Sequence, residues 1–148
     1  MVFKSLADII PILQIAIGPV ILISGIGLLL LSMTNRLGRA IDRARILRQE
    51  IKSGSLVDEH RIKAQLQILL HRAELIRQAI VYSTLSVLLA VLLIIALFVA
   101  SIFKLDIGIL IAIIFIGCLT SLIISLTIFL WDINKSLVAL KLEIGDVS

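Results

Sequence analysis

From Ala79 to Trp131 the chain reads AIVYSTLSVLLAVLLIIALFVASIF, then KLD, then IGILIAIIFIGCLTSLIISLTIFLW. The two apolar stretches, 79–103 and 107–131, contain no Asp, Glu, Lys or Arg. Each exceeds the roughly 20 residues that a helix needs to cross a bilayer core. Backbone amides find no water in lipid, so such runs must close their hydrogen bonds within a helix. The link Lys104-Leu105-Asp106 permits only a tight turn, which predicts a close antiparallel pair, with Asp106 capping the second helix.

A third apolar stretch, 9–33, lies upstream. The 148 residues are 60% hydrophobic and 16% charged, with a mean hydropathy of +1.18. Soluble domains lie near 45–50% apolar and about 25% charged. The sequence therefore reads as one all-α membrane domain over residues 1–148 with three transmembrane helices. The first stretch exceeds a signal-peptide core and lacks an A-x-A-like site, so it reads as retained. Ser5 with Asp8 resembles a capping box. Pro11 suits a first turn, and Pro19, after Gly18, is expected to kink the first span.

Arg36, Arg39, Arg43, Arg45, Arg48, Lys52, Arg61, Lys63, Arg72 and Arg77 all fall between the first and second spans. The other link holds Lys104 alone. The positive-inside rule then places the long link and the C-terminus, with Lys135 and Lys141, in the cytoplasm, and the N-terminus outside. Tyr82 and Trp131 take the inner interface. Within the link, 34–78, Leu37, Ala40, Ala44, Leu47 and Ile51 form one heptad seam. Ile62, Leu66, Leu69, Ala73, Ile76 and Ile80 form another, and Ser53-Gly54-Ser55 between them is a turn signal. The spacing predicts a cytoplasmic antiparallel coiled-coil hairpin, followed after the third span by a short cytoplasmic helix at 132–145.

The run Ser32-Met33-Thr34-Asn35-Arg36-Leu37-Gly38-Arg39-Ala40-Ile41-Asp42-Arg43-Ala44-Arg45 resembles the bacterial family called domain of unknown function 2721. The likeness extends over most of the chain: a Gly/Pro-containing first span, an Arg-rich second arm, two closing spans and an acidic residue just after the third. That residue is Asp132 here, where the family more often leads one to expect Glu. The resemblance implies a prokaryotic inner-membrane protein and no known activity.

On a regular helix Gln14, Gly18, Gly25 and Ser32 share one side of the first span, a face for helix packing or for lining a pore. Gly117, Ser121 and Ser125 make a similar face on the third. Asn35, Arg36, Arg39, Asp42, Arg43 and Asp132 form a candidate juxtamembrane cluster, a clamp or a gate, with Arg39 as the expected partner of Asp132. The other basic residues suit anionic lipid headgroups. Asp42, among arginines, reads as held ionised rather than poised as a base. His60 and His71 lack metal-ligand spacing, and Cys118 reads as a packing residue. No nucleotide, hydrolase or metalloprotease motif is present. The expectation is a non-enzymatic protein without metal, cofactor or nucleic-acid partner.

Three readings remain open. One is a homo-oligomeric, channel-like assembly for an ion or small solute. A second is a membrane chaperone similar in plan to Oxa-type insertases, whose groove would draw on Gln14, Ser24 and Ser32 of the first span and on Ser83, Thr84, Ser86, Ser125 and Thr127. A third is a scaffold or regulatory subunit that docks a cytoplasmic protein through the hairpin.

Overall fold

The computed structural model describes residues 9–52 and 59–145, with side chains over 9–52 and 62–134. The described residues form three helices and no strand: α1 (Ile10–Lys52), α2 (Glu59–Phe103) and α3 (Gly108–Gly145). Each contains a segment long and apolar enough to cross a membrane. At 43, 45 and 38 residues, the helices are roughly twice what a bilayer core requires. They therefore continue well past their apolar segments. α3 runs through Trp131 to Gly145 without interruption, so the stretch expected as a separate short helix belongs to α3. α1 is likewise helical through Pro19. The expected Ser5 capping box and the Ser53-Gly54-Ser55 turn lie outside the described residues, as do the side chains of His60, Lys135 and Lys141.

The α2–α3 turn closes on a backbone device. Leu105 N–H donates to the Ala100 carbonyl at 3.0 Å, and Lys104 between them has φ of 51°. This is the left-handed helix-terminating position that glycine usually fills, and a β-carbon there costs about 1–2 kcal/mol. Lys104→Gly is expected to raise stability by about 0.5–1 kcal/mol, part of the gain being offset by unfolded-chain entropy. Unfolding in detergent micelles reads it, and a loss would show that the lysine side chain sets the turn. Ile107, just before α3, supplies the carbonyl that accepts from Ile111 N–H at 3.1 Å. The cap position thus falls one residue after Asp106. Asp106 stays exposed and does not make the capping bond expected of it.

Contacts divide the chain into two units, each taking a piece of all three helices. Unit 1 is Met1–Leu30 with Tyr82–Ile124, and unit 2 is Leu31–Val81 with Ser125–Ser148.

In unit 1, α2 and α3 meet through small residues. Ala90, Ser83, Ser86 and Cys118 are fully buried. Ser86 Oγ donates to the Cys118 carbonyl at 2.9 Å, the Cys118 thiol returns a bond to the Ser86 carbonyl at 3.3 Å, and Ser121 Oγ donates to the Tyr82 carbonyl at 2.8 Å. Hydroxyls and thiol are thereby satisfied without water, as an apolar surrounding demands. Ile15, Pro19 and Leu22 of α1, Leu93 of α2, and Ile111 and Phe115 of α3 border an apolar cleft of about 520 Å³.

In unit 2 the core is Met33, Ile76 and Ala79, packed by Leu37, Ile80, Ile128 and Phe129. Ser125 Oγ donates to the Ala79 carbonyl at 2.6 Å. Every residue of the two heptad seams is buried or half-buried, Leu47 and Ile76 most fully. Met33 packs with Ile76, Ala40 borders a cleft with Leu69, and Ala44 borders another with Leu66. α1 and α2 therefore run side by side in opposite directions there.

Candidate functional site

Asp132 is the one charged residue that is fully buried among the described side chains. It sits one heptad after Ser125 on α3, and Arg72 sits one heptad before Ala79 on α2. The Ser125–Ala79 contact therefore brings Asp132 level with Arg72. Arg72 Nε donates to Oδ1 at 3.4 Å. The other oxygen, Oδ2, faces Arg36 Nη2 of α1 at 3.5 Å. That distance makes an ion pair, but the geometry does not make a hydrogen bond, and Oδ2 has none. The Arg36 guanidinium also lies 5.4 Å from the centre of the Phe129 ring, a cation–π distance. One carboxylate from α3 thus ties α1 and α2 together through two arginines that are themselves mostly covered.

The expected cluster is only partly assembled. Arg36 and Asp132 meet. Arg39, expected on Asp132, is instead exposed on the rim of a cleft of about 300 Å³ that Arg36 and Arg72 also line. Asn35, Asp42 and Arg43 are exposed on α1. Arg72 was missed as a partner of Asp132, although the spacing of Ala79 and Ser125 carries the signal. Arg77 pairs with Glu74 at 3.8 Å on the surface, a contact of little energetic weight.

The two small-residue faces fare differently. On α3, Ser121 and Ser125 are buried and Gly117 half-buried, with Leu89 Cδ1 at 3.7 Å from where a Gly117 Cβ would stand. On α1, Gln14, Gly18, Gly25 and Ser32 are all exposed. A Cβ added at Gly18 or Gly25 would meet nothing within 4 Å. His71 is exposed, and Cys118 both packs and hydrogen-bonds.

Three membrane-competent helices whose buried Ser86, Ser121 and Ser125 bond to the facing helix define a multi-pass membrane protein. The chain belongs to the family DUF2721, described as protein of unknown function, whose model matches residues 16–142. Comparison with curated proteins found no match, and comparison with solved structures found none either.

Proposed function

We infer that the protein is a non-enzymatic component of the bacterial inner membrane that works as an assembly of its own copies. The copies join through the Gln14–Gly25 face of α1 and offer a channel-like path along the axis between them. The exposed Gly25, with nothing within 4 Å of its added Cβ, carries this reading. Small residues at exposed positions of a lipid-facing helix let a second backbone approach closely. Gln14 is exposed on the same side of the helix. Its amide both donates and accepts, so two copies related by symmetry satisfy each other across the contact.

The inward-facing hydroxyls of unit 1 and unit 2 support a path between copies rather than within one. Ser86, Ser121 and Ser125 already donate to carbonyls of the facing helix. The same bonds weigh against the insertase-like plan, which needs Ser86 free in a polar groove. The cleft in unit 1 is apolar. Asp132, buried between two arginines, lacks the exposure and hydrogen-bond reach of a general base. The basic residues from Arg36 to Arg77 favour a cytoplasmic location for unit 2 and an external N-terminus, and the covered seams of α1 and α2 favour the coiled-coil hairpin.

Native mass spectrometry of the protein released from lipid nanodiscs tests the assembly. The natural chain is expected as a closed set of copies, and Gln14→Leu with Gly25→Leu as a monomer of unchanged helicity. Both positions are exposed, and a Cβ added at Gly25 meets nothing within 4 Å, so the double variant isolates association. A monomeric natural chain, its face covered by lipid alone, sinks the reading, and an assembled variant removes this face from it.

A further inference from the structure

Arg36, Arg39, Ala40, Leu69, Arg72 and Ile76 line the cleft of about 300 Å³ between α1 and α2 in unit 2. Three arginines thus line one small cleft, and no carboxylate is among its described lining residues. Asp132 contacts Arg36 and Arg72 and contributes a single negative charge. The local balance remains positive. Arg36 is fixed between Asp132 and the Phe129 ring, and Arg72 is fixed by Asp132. Two of the three forks are therefore ordered before any ligand arrives, which lowers the entropy lost on binding. Ala40, Leu69 and Ile76 supply an apolar wall beside the arginines.

We propose that this cleft binds a phosphate group, either as the free anion or as the phosphate of an anionic lipid headgroup. A planar guanidinium offers paired N–H donors that match two oxygens of an oxyanion. Three such forks suit a tetrahedral phosphate, whose four oxygens all accept (two of them as ester oxygens in a lipid headgroup), better than a planar carboxylate, which presents only two. Arg39, exposed at the rim and making no contact that holds the fold, closes over the bound group. This assignment does not depend on self-assembly.

The test uses the full chain in nanodiscs of phosphatidylcholine, whose headgroup has no net charge. In one arm inorganic phosphate replaces chloride at constant ionic strength. In the other, phosphatidylglycerol replaces part of the lipid with no phosphate added. A ligand that binds the folded chain raises its thermal midpoint. Arg39→Gln and Arg43→Gln remove the same charge from exposed positions of α1, but only Arg39 lines the cleft. The midpoint of the natural chain is expected to rise in at least one arm. Arg39→Gln should weaken that response about tenfold, and Arg43→Gln less than about twofold. A rise with phosphate identifies the free anion, and a rise with phosphatidylglycerol alone identifies the headgroup. No rise in either arm overturns the site. Equal losses in the two variants overturn it as well, because they would show diffuse attraction rather than a cleft.

Discussion

Asp132→Ala is expected to lower stability by about 3 kcal/mol, because it leaves two half-covered arginines of α1 and α2 facing each other without their shared counter-charge. Breaking a buried ion pair from one side costs about 3–5 kcal/mol. The lower figure applies here because the Arg36 and Arg72 side chains keep 24% and 30% of their surface and can turn toward water. Trp131, the neighbouring residue and the chain's single tryptophan, supplies a fluorescence signal for unfolding in mixed micelles. Arg36→Ala in the Asp132→Ala background should add little beyond its contact with Phe129, since the ion pair it would remove is already gone. A cost under about 1 kcal/mol, or full additivity of the two changes, would show that the pair does not hold the helices.

Ala79→Leu is expected to cost about 2–3 kcal/mol by overpacking. Ala79 is fully buried in the Met33–Ile76 core, and its carbonyl takes the 2.6 Å bond from Ser125. A larger side chain there must push α1 or α3 away, and either movement damages contacts around the same residue. Val81→Leu, two positions on and exposed, is the matched control and should change stability by less than about 0.5 kcal/mol. Comparable losses at both positions would mean that enlarging any side chain on this helix is harmful, and the close approach at Ala79 would carry no special weight.

The helices were legible because an uncharged apolar run of membrane length has one hydrogen-bonding solution. Their ends were less so. Asp106 has the side chain of a helix cap, but the left-handed Lys104 places the first accepting carbonyl at Ile107. Such a backbone detail leaves no mark in hydropathy. In the candidate site, Asp132 stood out as a lone carboxylate near a crowd of arginines, but its partners did not. Arg36 and Arg39 lie on one side of α1 three residues apart, so spacing alone favours neither. Arg72 required the register of α2 against α3. That register is written in the small residues: Ala79 and Ser86 on one helix, Cys118 and Ser125 on the other, each pair one heptad apart. Composition counts them as packing residues, and only pairing them in antiparallel order reveals what stands opposite Asp132. The division of glycine and serine faces into covered and uncovered ones was beyond sequence reach, because identical spacings on α1 and α3 meet different neighbours.

The ion pair on Asp132 also has a direction in time. The ribosome makes Arg36 first, Arg72 later and the carboxylate last, sixty residues beyond Arg72. At typical rates of synthesis Arg36 precedes its partner by roughly 5–20 seconds. During that interval α1 and α2 carry arginines that repel, and only the apolar seam of Met33, Leu37, Ile76 and Ile80 draws them together. The tether forms only when the end of the third apolar segment has been made. A chain that stalls or is cut before that point keeps two like charges facing each other across its seam, with no carboxylate to balance them.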